Sequence, residues 1–216
     1  MRRIVCLVLA VMSAPAQKIS FDSSRPGTIP EGWTVAMTHE GGPPQWEIVA
    51  DDSAPSKPAV FAQTSQDKTS ARYPLAIFDQ ASLADGSVSV RFKTISGAGD
   101  QAAGIVWRYR DPNNYYIVRA NALEDNVVLY KVEGGKRIPL APTGTDPKTY
   151  GVKHRVPKKT WSTLKVDFKG THFDVFFDGT KIMEVEDATF VAAGKAGLRT
   201  KADSVTYFND FTLTER

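Results

Sequence analysis

The sequence predicts an all-β protein, folded as a sandwich or jelly roll of two antiparallel sheets. Three observations support this prediction. No long run of apolar residues follows the 3.6-residue period of a helix. Many short runs alternate between apolar and polar residues, as strands with one buried face do. Turn residues separate these runs at short intervals, which is typical of sandwiches and jelly rolls.

The predicted strands follow an N-terminal part that is less regular. Residues 21–73 contain many of the prolines and too few apolar residues for a core of their own, so we expect them to complete the same sandwich. Strong turn signals at residues 111–114 and at Asp178-Gly179 predict hairpins. The predicted strands are residues 88–92, 104–110, 115–121, 126–132, 164–168, 173–177, 182–186, 196–200 and 205–213.

The N-terminal residues predict a secretory signal peptide over residues 1–16. Met1-Arg2-Arg3 is a positively charged start, and residues 4–12 form an apolar run too short to span a bilayer. Ala14-Pro15-Ala16 has the small-x-small pattern of a cleavage site. We therefore expect an exported protein, periplasmic or secreted, with a single mature domain over residues 17–216. A buried N-terminal strand is the alternative.

Composition and charge exclude several classes of protein. Hydrophobic residues make up 42% and charged residues 24% of the chain, which excludes a disordered chain, a collagen and a coiled coil. The net charge of +3 is too small to indicate a nucleic-acid partner. The single cysteine, Cys6, excludes an internal disulfide and lies in the predicted signal peptide. No other stretch approaches about 18 apolar residues, so we expect no membrane span and a monomer.

Strand alternation divides the middle hairpins into two faces. Pairing Arg110 with Tyr115 across the predicted turn places Arg108 opposite Ile117. One face is bulky and apolar and should lie in the core, and it comprises Ile105, Trp107, Tyr109, Tyr116, Val118 and Ala120. The opposite face comprises Arg108, Arg110, Tyr115, Ile117, Arg119 and Asn121, to which the next strand adds Asn126, Val128 and Tyr130.

The second of these faces carries side chains that suit a saccharide. Asparagine and arginine bind hydroxyl groups through paired polar atoms, and aromatic rings stack on the C–H faces of sugars. The alternative is a solvent-exposed sheet face on which long side chains cover the apolar residues. The predicted ligand-binding residues are Arg108, Tyr115, Arg119, Asn121, Asn126 and Tyr130.

Pairs of carboxylates are candidate catalytic groups, because glycosidases use two of them. Glu184 and Glu186 share one face of a predicted strand, and Asp174 and His172 should flank them. A pair about 5–10 Å apart would serve a retaining or inverting glycosidase, whereas a charged solvent face is the alternative. The catalytic residues remain unassigned.

The sequence predicts no cofactor, and the one metal considered is a structural calcium ion. Asp22 and Asp210 lie near the two ends of the predicted mature chain and would share calcium if those ends meet. The three histidines lack metal-ligand spacing. Gly97-Ala98-Gly99-Asp100-Gln101-Ala102 matches a dinucleotide-binding pattern, but strand-like residues follow it, so we expect a loop.

Three segments of the sequence resemble a group of exported bacterial proteins. They are GIVWRYRDPNNYY at residues 104–116, NALEDN at residues 121–126 and GKAGLRTKADS at residues 194–204. The group is similar to the 3-keto-disaccharide hydrolase domain family and to laminin-G-like and concanavalin A-like jelly rolls. Its members are often described as relatives of glycoside hydrolase family 16. The resemblance extends from about residue 21 to the C-terminus, and it implies a two-sheet jelly roll with a concave face that holds a saccharide.

The chain departs from this group where catalysis is concerned. Family 16 glycosidases carry E-x-D-x-x-E or E-x-D-x-E on one strand, and Glu184-Val185-Glu186-Asp187 matches neither pattern. Phe208-Asn209-Asp210-Phe211 has asparagine where the related proteins tend to have aspartate. A calcium or ligand site at that position would be weaker here.

Three functions remain open at the level of sequence. The leading interpretation is an exported jelly roll that binds a polysaccharide or glycoside. The second is a glycoside or 3-keto-disaccharide hydrolase or lyase, for which Glu124 and Asp125 are the carboxylates nearest the predicted ligand face. The third is a cell-envelope protein whose sheet face binds another protein.

Overall fold

The computed structural model describes residues 15–216, so all but the last two residues of the predicted signal peptide lie outside the described residues. The described residues form sixteen strands and no helix, and hence no helix that is long and apolar enough to cross a membrane. The strands are β1 Gln17–Ile19, β2 Trp33–Thr38, β3 Trp46–Ala50, β4 Ala59–Gln63, β5 Tyr73–Leu83, β6 Gly86–Ser96, β7 Ala102–Asp111, β8 Asn114–Asn121, β9 Asn126–Glu133, β10 Lys136–Leu140, β11 Val152–Lys153, β12 Ser162–Lys169, β13 His172–Phe177, β14 Thr180–Glu186, β15 Gly194–Arg199 and β16 Val205–Glu215.

The strands form two antiparallel sheets of eight strands each, which confirms the predicted all-β sandwich. Sheet A has the order β14-β13-β12-β6-β16-β4-β3, with β1 also paired to β16. Sheet B has the order β10-β9-β8-β7-β15-β5-β2, with β11 also paired to β9. The irregular N-terminal part of the chain supplies β3 and β4 to sheet A and β2 to sheet B.

The main hydrophobic core lies between the two sheets and contains one face of nearly every long strand. Aromatic rings make up much of it. Trp107 of β7 is fully buried, stacks on Tyr116 at 5.4 Å between ring centroids and meets Phe173 of sheet A edge-on at the same distance. Such aromatic pairs each contribute about 0.5–1.5 kcal/mol beyond the burial of their area. The pair of Trp107 with Phe173 also connects the two sheets across the core.

The β7–β8 hairpin has the predicted turn but not the predicted register. Asp111 pairs with Asn114, yet the next pair is Trp107 with Tyr116, so residues 108–110 lie opposite Tyr115 alone. Arg108 adopts a left-handed backbone conformation with φ of 47°. An irregularity of this kind re-aims the side chains of the bulged strand. The partner of Ile117 is consequently Val106 rather than Arg108.

This bulge exchanges the faces of two residues, so two of the predicted placements are wrong. The Arg108 guanidinium lies 5.6 Å from the ring centroids of Phe168 and Phe173, on the core side of sheet B. It donates to the carbonyl oxygens of Phe190 and Gly170 at 2.7 Å and to that of Ala84 at 2.9 Å. Tyr109, predicted to lie in the core, packs on the opposite face of the sheet.

The outer face of sheet B is concave. Arg137 on β10 and Tyr73 on β5 are separated by four strands in the sheet, yet the guanidinium carbon lies 5.1 Å from the tyrosine ring centroid. In a flat sheet those strands would be about 24 Å apart, given about 4.8 Å between neighbours. The sheet therefore curls over this face. A second apolar layer fills it, comprising Leu75, Ile77, Val106, Tyr115, Ile117, Val128, Tyr130 and Val132.

The loop between β6 and β7 is fixed by one carboxylate. The Asp203 side chain accepts hydrogen bonds from the backbone N–H groups of Ala98, Gly99 and Asp100, at 2.7–3.1 Å. Burial alone would raise the pKa of Asp203, but these hydrogen bonds outweigh it and hold the pKa below its usual range. The segment that matches a dinucleotide pattern is thus a loop, as predicted.

Candidate functional site

The candidate site is the concave face of sheet B, and its first element is a polar cluster at the β8–β9 turn. Arg119 Nη2 donates to Glu124 Oε2 at 3.0 Å and to Asn126 Oδ1 at 2.7 Å. Asn126 Nδ2 in turn donates to Glu124 Oε2 at 3.0 Å. The Arg119 side chain is only 4% exposed, whereas that of Glu124 is 38% exposed. Glu124 therefore lies at the accessible edge of the cluster, and Arg119 lies at its buried end.

The ionisation states of this cluster are set by its contacts. Burial would raise the pKa of Glu124, but the hydrogen bond and charge of Arg119 lower it below its usual range. Burial would likewise lower the pKa of Arg119, and the neighbouring Tyr130 and Glu124 more than offset that effect. At neutral pH Glu124 is a carboxylate paired with a guanidinium.

A second polar cluster adjoins the first through Asn121. Asn121 Nδ2 donates to Asp100 Oδ1 at 2.6 Å, and Lys201 Nζ lies 2.6 Å from the other oxygen of that carboxylate. Asn121 Oδ1 accepts the backbone N–H of Leu123 at 2.9 Å, which fixes the turn. Sequence reasoning missed Asp100 and Lys201, because each is brought to β8 from a loop distant in sequence.

Arginine and tyrosine side chains alternate across the rest of the face. Their order is Arg119, Tyr130, Arg137, Tyr73, Arg199, Tyr115. The closest approach places the Arg199 guanidinium carbon 3.9 Å from the centroid of the Tyr73 ring. The longest two, Arg119 over Tyr130 and Arg199 over Tyr115, are 5.9 Å. All lie within the range of cation–π attraction. We call these six residues the arginine–tyrosine array.

The tyrosines of the array are held by hydroxyl contacts. Tyr115 shares a hydrogen bond with Thr38 at 2.7 Å, and Tyr130 shares one with Tyr150. Burial raises the pKa of Tyr115 and of Tyr130, so both rings stay neutral. Tyr150 lies in the loop before β11 and is 47% exposed, which makes it an accessible aromatic ring at the edge of the face.

Five of the six predicted ligand residues lie together on this face, and Arg108 does not. The five are Tyr115, Arg119, Asn121, Asn126 and Tyr130, and all are buried. The predicted face is therefore not an open polar surface but a packed one. A ligand would first meet its more accessible side chains, which are Glu124, Arg137, Tyr150 and Lys201.

The other carboxylates considered from the sequence lie on sheet A. Asp174 pairs with Glu184 and His172 with Glu186, on the side of β13 and β14 opposite to the core. Potential metal-binding atoms of His172, Asp174 and Glu184 lie within 4.8 Å of one another. Lys181 Nζ lies 2.6 Å from Asp174 and 2.7 Å from Glu184, so one ammonium group already pairs with both carboxylates. This cluster is on the opposite side of the sandwich from the concave face.

The two residues predicted to bind calcium have separate partners. The chain ends do meet, because β1 pairs with β16. Asp210 Oδ1 contacts Lys18 Nζ at 2.6 Å and Ser56 Oγ at 2.5 Å, whereas Asp22 accepts from Ser20 Oγ at 2.9 Å. A calcium ion at Asp210 would have to displace the lysine ammonium. The calcium site stays a prediction.

The chain belongs to the family described as the 3-keto-alpha-glucoside-1,2-lyase-like domain, whose profile matches residues 20–214. No curated protein sequence matches the chain significantly. Among solved structures, the fold is similar to carbohydrate-binding module CBM66 from Bacillus subtilis, with a TM-score of 0.62, 20% identity and coverage of 84% of this chain and 94% of that one.

Two further solved structures share the fold. A Bacillus subtilis protein of unknown function with a galectin-like fold has a TM-score of 0.54 and 15% identity, and the match covers 84% of this chain and 88% of that one. SO2946 from Shewanella oneidensis MR-1, also of unknown function, has a TM-score of 0.53 and 12% identity, over 92% of this chain and 84% of that one. At these identities the similarity establishes the jelly-roll fold.

Proposed function

We propose that the chain is an exported carbohydrate-binding jelly roll that holds a polysaccharide or glycoside on the concave face of sheet B. The observation that carries this proposal is the array of arginine and tyrosine side chains beside Asn121 and Asn126. Guanidinium and amide groups bind sugar hydroxyls, and the exposed ring of Tyr150 offers a stacking surface. Because most of these side chains are buried, a ligand would first contact the accessible ones, which are Glu124, Arg137, Tyr150 and Lys201.

Family membership and one structural neighbour support a saccharide ligand over other ligands. The family description refers to a glucoside, and the CBM66 neighbour is named as a carbohydrate-binding module. Export rests on the predicted signal peptide. A monomer exported from the cell would encounter saccharides outside it, which agrees with a saccharide-binding face.

A second candidate function is cleavage of the bound saccharide. The family description names a 1,2-lyase of a 3-keto-glucoside. In such a substrate the keto group acidifies the neighbouring C2–H bond. A base can therefore take that proton while the C1–O bond breaks and a C1=C2 double bond forms, and return of the proton to the departing oxygen releases the aglycone as an alcohol. Glu124 is an ionised and accessible carboxylate at the site, but its lowered pKa makes it a weak base. Asp125 is less suitable, because its carboxylate accepts the backbone N–H of Val156.

The proposal is tested by a glycan array probed with the purified protein, once with calcium and once with a chelator. The array includes 3-keto disaccharides as well as ordinary glycosides. We expect hits confined to a small set of related saccharides. Loss of those hits in chelator would support calcium binding at Asp22 and Asp210. Hits that fade with time for the parent protein, but persist for Glu124→Gln, would establish cleavage.

A blank array in both buffers would contradict saccharide binding. The leading interpretation would then be a cell-envelope protein that binds a protein partner. Leu123 and Tyr150, which are exposed at the edge of the concave face, would be its first contact residues to examine.

A further inference from the structure

The concave face carries positive charge that its own residues do not neutralise. Of the three arginines in the array, Arg119 has an ion pair with Glu124. Within residues 15–216, no carboxylate lies within 4.0 Å of a guanidinium nitrogen of Arg137 or Arg199. Arg199 is nonetheless only 3% exposed. Burial of a charged group without an opposite charge is costly, so a native protein seldom retains one without a use.

The same arginines have hydrogen-bond donors without acceptors. In the described part of the chain, Arg199 Nε and Nη2, Arg137 Nη1 and Arg119 Nε are buried and have no hydrogen-bond partner. A guanidinium presents its N–H groups in a planar fork that matches the two oxygens of an oxyanion. An acceptor group from outside the chain would satisfy these unpaired donors on Arg137 and Arg199.

Stacking on tyrosine explains only part of this arrangement. Arg137 and Arg199 both lie close to the Tyr73 ring, at 5.1 Å and 3.9 Å from its centroid. The ring faces attract the cations, but ring faces accept few of the in-plane N–H groups, and two like charges beside one ring repel each other. Burial, together with the nearby charge of Arg137, lowers the pKa of Arg199, which reflects that repulsion. An anion bound between the two guanidiniums would relieve it.

We propose that the saccharide held on the concave face is acidic, with a carboxylate or sulfate group bound by Arg137 and Arg199. This inference rests on the proposed function, because it specifies the ligand of the same face. Arg137 is half-buried on β10, at the edge of sheet B, so an incoming ligand reaches it first. Arg199, on a central strand, supplies the buried second half of the oxyanion site. The neutral part of the sugar then lies toward Asn121, Asn126 and Tyr150.

The test compares ligands that differ only in charge. Isothermal titration calorimetry of the full chain is run with a galacturonic acid trisaccharide and with its methyl ester, at low and at high salt. A sulfated monosaccharide, glucose 6-sulfate, is compared with glucose in the same way, to distinguish the two sources of the oxyanion. We expect the charged member of at least one pair to bind about tenfold or more tightly, with the difference reduced by salt.

The variants assign the effect to the array. Arg137→Gln removes one charge from a half-buried side chain and should abolish the preference for the charged ligand. Arg110→Gln is the matched control, since Arg110 is an exposed arginine that lies over Phe190, away from this face. The control should keep the preference. Arg199→Gln should abolish the preference as well, and if that variant fails to fold, Arg137→Gln still decides the question.

The outcomes that would overturn the inference can be told apart. Equal binding of charged and neutral members, or a preference that survives in Arg137→Gln, would overturn the acidic ligand and leave saccharide binding intact. Binding of neither member of either pair, together with a blank glycan array, would overturn the proposed function as well. Binding of inorganic sulfate alone, with no saccharide bound, would also contradict the inference.

Discussion

Replacing Arg108 with methionine is expected to lower the free energy of unfolding by about 3–5 kcal/mol. The methionine keeps much of the packing against Phe168 and Phe173 but removes every donor of the guanidinium. Three carbonyl oxygens, from Ala84, Gly170 and Phe190, then lose their partner; the bond to Phe190 is buried and the other two are partly buried. An unsatisfied buried acceptor costs about 1–3 kcal/mol. These carbonyls belong to three different connections, so their loss should loosen that end of the sandwich.

Urea denaturation followed by circular dichroism measures the effect, with Arg110→Met as the control. Arg110 is two residues away on the same strand, and its exposed side chain lies over Phe190. The control should change stability by less than about 1 kcal/mol. At low temperature the Arg108→Met protein that remains folded should still bind the parent's saccharide. Equal stability of both variants would contradict the structural role assigned to Arg108.

The double variant Arg119→Ala, Asn121→Ala is expected to weaken saccharide binding at least about hundredfold, since two polar anchors of about 1.5–3 kcal/mol each are lost. The structure also predicts a stability cost, because both side chains are buried and bonded. Asp100 would keep Lys201 but lose Asn121, and Glu124 would lose Arg119. We expect a loss of about 2–4 kcal/mol, which a domain of ordinary stability survives.

The matched control for binding is Arg110→Ala, Asn113→Ala, which removes the same two residue types from exposed positions at the β7–β8 turn. Affinities of all three proteins for the strongest array hit are measured by calorimetry, after circular dichroism has confirmed folding. The control should bind like the parent. Parent-like affinity in the folded Arg119→Ala, Asn121→Ala protein would contradict saccharide binding at this face.

Most of the fold could be predicted from the sequence because its signals are local. Alternation placed Trp107, Tyr116 and Val118 in the core, and the turn between Asn121 and Asn126 fixed the β8–β9 register. These features depend on neighbours along the strand. Residues of one hairpin face stay together whatever the rest of the chain does, so five of the six predicted ligand residues did come together.

The sequence contains no signal for the bulge that moves Arg108 to the core side of sheet B. Nothing in Trp107-Arg108-Tyr109-Arg110 requires an irregular strand, and regular alternation would place Arg108 beside Arg119. The bulge is favoured by distant groups instead, since the carbonyl oxygens of Ala84, Gly170 and Phe190 surround the guanidinium only in the folded protein.

Only half of the arginine–tyrosine array could be predicted from the sequence, because the other half also depends on contacts between distant parts of the chain. Tyr115, Arg119 and Tyr130 lie on adjacent strands and could be grouped by pairing. Tyr73, Arg137 and Arg199 join them only because sheet B curls until β10 and β5 approach each other. Sheet curvature is a property of the whole sheet and of its packing. The sequence of a single strand therefore gives little indication of it.

Mapping the bound ligand shows directly whether the concave face of sheet B binds a saccharide. Backbone amide shifts of the isotope-labelled protein are followed by NMR during titration with the strongest array hit. We expect the largest shifts in β8, in the β8–β9 turn at residues 121–126 and in β9. Shifts concentrated instead around His172, Asp174 and Glu184 on sheet A would contradict it.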